Sequence, residues 1–251
     1  MINLEDDFKN LSLLDDKILN ESAIKIQKIF RGFIYRLKRL PNVMYNVQNY
    51  LIEQKYRSTN FTDDGRTNSA LDEKQIINKL EKFLMNRIKI PTCRHWYDIL
   101  LYDYKYGWLP VNIKTSTTKT SDNTGNMAMC VYSYTDQNLD LDINKKYKNG
   151  NMSDILFTKL KKKEYNKNNK KDYYFIVINK IDNKNVIINS VKGLSILTAN
   201  TNNLPFQIQW NKNDKFCYSK INNKINLFIN TLKKPNECWS EKFMKNIRTL
   251  D

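Results

Sequence analysis

Within residues 21–40 (ESAIKIQKIFRGFIYRLKRL) the apolar positions Ile24, Ile26, Ile29, Phe30, Phe33 and Ile34 recur at helical spacing. The pattern predicts a basic amphipathic helix, with Ser22 as its N-cap and Pro41 closing it. Residues 1–20 read as one irregular helix and 42–55 as another, followed by a polar loop over 56–70. A further helix is predicted over 71–87, where Ile76, Ile77, Leu80, Phe83 and Leu84 share one stripe.

The pattern then changes. Residues 96–103 (WYDILLYD) and 109–116 (LPVNIKTS) are rich in aromatic and β-branched residues, and Gly107 between them suits a tight turn. They predict a β-hairpin. Residues 127–135 fit either a strand or the start of a buried helix, and 155–171 end in a charge run that reads as a solvated helix face and loop. Two more strands, 172–180 (DYYFIVINK) and 185–193 (NVIINSVKG), form a second hairpin, and 203–210 (NLPFQIQW) is strand-like. A last helix is expected from Asn236, with Trp239, Phe243 and Ile247 in register. The expected class is α/β, with a helical N-terminal region (1–60) and an α/β domain (61–251).

Charge alters this picture. The 251 residues hold 42 Lys+Arg against 26 Asp+Glu, a net charge of +16. Such a surplus raises affinity for nucleic acid. Biased codon usage gives the same Lys- and Asn-rich composition, so charge alone establishes no function. No apolar run is long enough to span a bilayer, and the acidic N-terminus lacks the apolar core of a secretory signal. The four cysteines (Cys93, Cys130, Cys217, Cys238) form no CxxC pair, which argues against a structural zinc site or a disulfide framework. An intracellular chain, cytoplasmic or nuclear and unattached to membrane, is expected.

Candidate chemistry sits in the first hairpin. With a turn near Lys105 and Tyr106, Asp98 falls opposite Ile113 and Lys114, and the two-residue period puts Asn112 and Lys114 on one face. A carboxylate, an amide oxygen and an ammonium gathered this way can hold Mg²⁺ and polarise a water beside it. The same arrangement also describes a cross-strand ion pair worth about 0.2–1 kcal/mol. His95 stands alone and cannot build a His-rich metal site or a Ser-His-Asp triad, so a hydrogen-bonded structural role is expected for it. No GxxxxGK[ST] or GxGxxG is present, which disfavours a nucleotide-driven motor or a dinucleotide enzyme.

Asp98, Asn112 and Lys114, with LPVNIKTSTTKTSDN, DYYFIVINK and NLPFQIQWN, resemble the PD-(D/E)XK nuclease superfamily and, within it, type II restriction endonucleases. The resemblance covers residues 70–215. It implies a restriction-endonuclease-like mixed β-sheet flanked by helices, behind a helical N-terminal extension. It also implies a Mg²⁺-dependent endodeoxyribonuclease that cleaves double-stranded DNA and works as a homodimer. Asp98 becomes the metal-ligating carboxylate and Lys114 the catalytic lysine. Asn112 stands where the superfamily has a second acid, a departure that weakens metal binding unless Asp103, Glu73 or Glu81 compensates. Glu73 is preferred, because its stripe points inward. Asp122-Asn123 reads as a plain turn or, by the resemblance, as a substrate-contacting loop. Lys119 is then a phosphate contact, and Gln207 and Gln209 are base-reading or surface residues. A catalytically impaired DNA-binding or calmodulin-binding protein on a nuclease scaffold is the alternative.

Residues 26–36 also match the full IQ motif, IQxxxRGxxxR, through Ile26, Gln27, Arg31, Gly32 and Arg36. Helices of this kind are gripped by calmodulin or related EF-hand proteins, here through an apolar stripe ringed by Lys and Arg. Packing of that stripe on the chain's own core, or binding to an anionic membrane surface, uses the same features.

Overall fold

The computed structural model describes residues 18–29, 40–55, 65–123, 126–146, 150–182, 184–200 and 205–232. The chain divides into two compact units, Met1–Arg39 and Leu40–Asp251. In the first unit, residues 18–29 form helix α1, along which Ile18, Leu19, Ile24, Ile26 and Ile29 are exposed. Of the IQ positions, Ile26 and Gln27 lie on this helix, and Arg31, Gly32 and Arg36 lie outside the described residues.

The second unit is α/β. A five-stranded sheet has the order β1-β2-β3-β5-β6, formed by β1 (Ile88–Lys89), β2 (Ile99–Asp103), β3 (Gly107–Ser116), β5 (Tyr174–Asn179) and β6 (Val186–Ser190). Only β3 and β5 run parallel; the other neighbours are antiparallel, so the sheet is mixed. A parallel pair needs a long crossover. It is supplied by α4 (Met127–Tyr134) and α5 (Met152–Lys161). The segment 127–135, open between strand and helix in the sequence, is the helix: Asn126 Oδ1 accepts the Met129 amide as an N-cap.

Strand alternation sorts the core into two layers. Ile99, Leu101, Val111, Ile113, Ile176 and Ile188 face α2 (Asn42–Glu53) and α3 (Gly65–Leu84), meeting Met44, Val47, Leu51, Ile76, Leu80 and Leu84. Leu100, Phe175, Val177 and Ile187 face the other way, onto α4, α5 and α6 (Ile221–Leu232). Every residue of β5 is buried, as expected for a strand covered on both sides. Helix α2, which the sequence groups with the N-terminal region, belongs to this second unit through Val43, Met44, Val47 and Leu51.

Helix α6 was not anticipated. Its apolar positions Ile221, Ile225, Phe228 and Leu232 have helical spacing, masked by the asparagines between them. The helix expected from Asn236 lies outside the described residues. Among the described residues, no helix is long and apolar enough to cross a membrane.

Candidate functional site

The geometry begins with the turn between β2 and β3. Asp103 Oδ1 accepts the amides of Lys105 (2.9 Å) and Tyr106 (3.1 Å), and Gly107 takes φ +76°, so Asp103 pairs with Gly107. The ladder then runs Ile99↔Val111. Continued by one residue, it sets Asp98 opposite Asn112, where the sequence had suggested Ile113 and Lys114. The turn is centred on Lys105 itself, not between Lys105 and Tyr106 as the apolar pattern implied, because the Asp103 side chain closes it.

Directly opposed residues on an antiparallel pair share a face. Asn112 Nδ2 donates to Asp98 Oδ2 at 2.7 Å, and the Ile113 amide donates to the same oxygen at 2.7 Å. Lys114, two residues along the same face, turns to the helix: its Nζ lies 3.4 Å from Glu73 Oε1. The four polar groups therefore form two linked pairs, Asp98–Asn112 and Lys114–Glu73. Glu73 is half-buried beside Ile77, Leu80 and Leu84, whose spacing suggested that it points inward, while the neighbouring Asp72 continues the fully buried stripe of Ile76, Leu80 and Leu84. The other two acids considered as compensators are placed elsewhere. Asp103 is used by the turn and by the Val43 amide at the start of α2 (3.1 Å), and Glu81 is exposed on α3.

The carboxylates are electrostatically uncomfortable. Burial pushes the Asp98 carboxyl up to about 6; the Glu73 charge adds to this, while the Ile113 amide and Lys114 oppose it. Burial also raises Glu73, against the pull of Lys114 and Lys180. Of these groups, Glu73 and Lys114 border a cavity of ≈ 380 Å³, lined also by Ser69, Ala70, Thr115, Asp122 and Asn123. Asp98 and Asn112 are not in its lining and lie behind Lys114 on the hairpin.

Two of the lining residues come from β4 (Ser121–Asp122) and the loop after it. The β4 strand pairs with β7 (Ile208–Gln209) through Ser121↔Gln209 and Asp122↔Ile208. Asp122 is thus on a ladder, not in a plain turn. Burial raises its carboxyl, against hydrogen bonding from Ser116 and the charge of Lys114. Lys180, at the end of β5, donates from its backbone amide to the Ser116 carbonyl (2.9 Å) and from Nζ to Ser69 Oγ (2.9 Å). Sequence reasoning missed Lys180 and misjudged the setting of Asp122. Both reach the site only through strand pairings made by distant parts of the chain.

The residues suggested as DNA contacts cluster beside the cavity. Asn123 Oδ1 accepts from Gln207 Nε2 (2.8 Å) and Asn200 Nδ2 (3.2 Å). Gln209 Nε2 donates to the Lys119 carbonyl (2.7 Å), and the Lys119 side chain is exposed. For the Gln207 amide to read a base, it must release Asn123. His95 packs on Tyr97 with ring centroids 4.0 Å apart, and burial lowers its pKa, which keeps it neutral.

The donor set suits a hard cation. Asn112 Oδ1 is buried without a hydrogen-bond partner, and Asp98 and Glu73 are both disfavoured as bare anions. Among the described residues, no three Asp, Glu, His or Cys side chains converge as a complete metal shell. Mg²⁺ needs only one or two carboxylates, since waters and phosphate oxygens fill the remaining positions. No family model, curated protein or solved structure matches the chain.

Proposed function

We propose that the chain is a Mg²⁺-dependent endodeoxyribonuclease of the type II restriction type, built on a restriction-endonuclease-like form of its mixed sheet. The observation that carries this reading is the facing Asp98–Asn112 pair on the β2–β3 hairpin, with Lys114 on the same strand two residues further. A cross-strand ion pair between Asp98 and Lys114 would be the bland alternative, but Lys114 pairs with Glu73 and leaves Asp98 to Asn112.

Asp98 and Glu73 would hold Mg²⁺, with Asn112 Oδ1 as a neutral donor. When bound, the ion supplies positive charge to the scissile phosphate oxygens. Lys114, half-buried beside the cavity, donates to the attacking water or to the oxygen on which charge builds. Lys119 meets the DNA backbone, and Asn123 and Gln207 contact the substrate near the cleaved bond. The net charge of +16 favours a polyanionic substrate. Two copies of the chain would address the two strands.

Plasmid cleavage with Mg²⁺ or Mn²⁺ tests the reading. The native chain should nick or linearise supercoiled DNA, and Asn112→Asp should cut faster at limiting Mg²⁺, because a second carboxylate tightens ion binding. A native chain that binds DNA but never cuts, with cutting restored by Asn112→Asp, would instead establish a decayed scaffold.

A second reading concerns the N-terminal unit. Ile26 and Ile29 are exposed on α1, at 66% and 69% of their full surface. Contiguous apolar exposure on a basic helix fits the acidic, hydrophobic lobes of calmodulin or a related EF-hand protein. The chain should co-elute with calmodulin on a sizing column, with or without Ca²⁺, and Ile26→Glu with Ile29→Glu should abolish this. Separate elution of the native chain in both states would retire the idea.

A further inference from the structure

Asn112 gives the hairpin a neutral oxygen where a second carboxylate would bind an ion more tightly, and the neighbouring cavity wall carries such a carboxylate. We propose that Asp122 supplies it: Glu73, which stands between the Asp98–Asn112 pair and the cavity, shares its ion with Asp122 on the β4 wall. This rests on the nuclease reading of the same site and adds a ligand that the hairpin motif does not contain.

Both carboxylates line one cavity of ≈ 380 Å³, whereas Asn112 does not. Asp122 is held there by a continuous chain of structure. After β3, Ser116 Oγ accepts the Thr118 amide (2.9 Å), and Thr118, buried at φ +63°, folds the chain back. The Thr118 carbonyl accepts the Asn211 amide (3.1 Å), which fixes this corner to the segment after β7. The β4–β7 pairing then presents Asp122 from a paired strand. A ligand carried on a paired strand is better positioned than one on a free loop.

An independent observation points to a ligand between the two walls. Thr115 belongs to the cavity lining and is 7% exposed, yet its Oγ1 has no hydrogen-bond partner. Strand alternation sends its side chain to the α3 side of the sheet, where Ser69, Ala70 and Glu73 form the wall. A buried hydroxyl without a partner is costly, and a cation's water shell or a phosphate oxygen satisfies it. Lys114 and Lys180 both act on Glu73 and on Asp122, so the cavity already has balanced charge. A divalent ion would make it net positive and receptive to a phosphodiester.

The test measures Mn²⁺ binding to the full chain without DNA, by titration calorimetry. Asp122→Asn and Glu73→Gln should each weaken Mn²⁺ by about tenfold or more. Asp122→Asn with native affinity, beside a weakened Glu73→Gln, overturns the role of Asp122 and leaves the nuclease reading standing. A native chain that binds no Mn²⁺ overturns both. A second measurement needs no variant: the Trp210 indole lies beside the Asp122 carboxylate, so Tb³⁺ bound there should emit on tryptophan excitation. Tb³⁺ that raises the melting temperature without such emission also overturns the assignment.

Discussion

Lys114→Ala should reduce plasmid cleavage by about a hundredfold or more, the usual cost of removing a group that stabilises transition-state charge. The fold should barely notice. Lys114 sits at the cavity edge, 3.4 Å from Glu73, with 29% of its side chain exposed. The Glu73 side chain is 21% exposed, and its carboxyl, already raised by burial, can take up a proton once Lys114 is gone. This holds the loss to about 0–1 kcal/mol. A large loss of rate with an unchanged melting temperature therefore separates chemistry from stability. Lys114→Arg should fail to rescue, because the planar guanidinium cannot take the place of a compact ammonium facing Glu73. Cleavage at the native rate by Lys114→Ala would remove the central residue of the nuclease reading.

In the metal-free chain, Asp98→Asn should raise stability at neutral pH. The folded carboxyl titrates at about 6, against the ordinary 3.8, so the fold takes up a proton that the unfolded chain releases. The penalty is absent below pH 3.8, grows as pH rises through the window to about 6, and is fully present above it. Two pKa units correspond to roughly 3 kcal/mol. The Asn amide oxygen can accept the hydrogen bonds that Asp98 Oδ2 takes from Asn112 and Ile113, so the substitution keeps the packing. Urea unfolding in EDTA should show the variant ahead of the native chain at pH 7.5 and level with it near pH 3.5. Mg²⁺ should narrow the gap at pH 7.5, because an ion favours the native carboxylate. A native chain that is no less stable than Asp98→Asn at pH 7.5 would show that the carboxylate is better solvated or better paired than its burial implies.

The hairpin, the helical stripe of α3 and the β5–β6 pair were legible in the sequence, since each depends on local periodicity and turn chemistry. Ile76, Leu80 and Leu84 mark their own buried face, and Glu73 follows from the spacing of Ile77, Leu80 and Leu84 beside it. Asp98, Asn112 and Lys114 stood out because polar residues interrupt two strongly apolar strands. The register did not follow so simply. A strand pattern repeats every two residues, so it tolerates a slip until a specific turn fixes it, and here the Asp103 carboxylate does so.

By itself, the sequence determined which segments are helix and which are strand over most of the second unit, and which hairpin carries interrupting polar side chains. Local hydrophobic spacing and turn residues decide those matters. Only the tertiary structure decided that Lys114 pairs with Glu73 while Asp98 pairs with Asn112. It alone brought Asp122 and Lys180 to the cavity, through the β4–β7 ladder and the parallel β3–β5 pair. Those contacts join residues tens of positions apart, and their alignment is set by how whole layers pack, which no local pattern encodes.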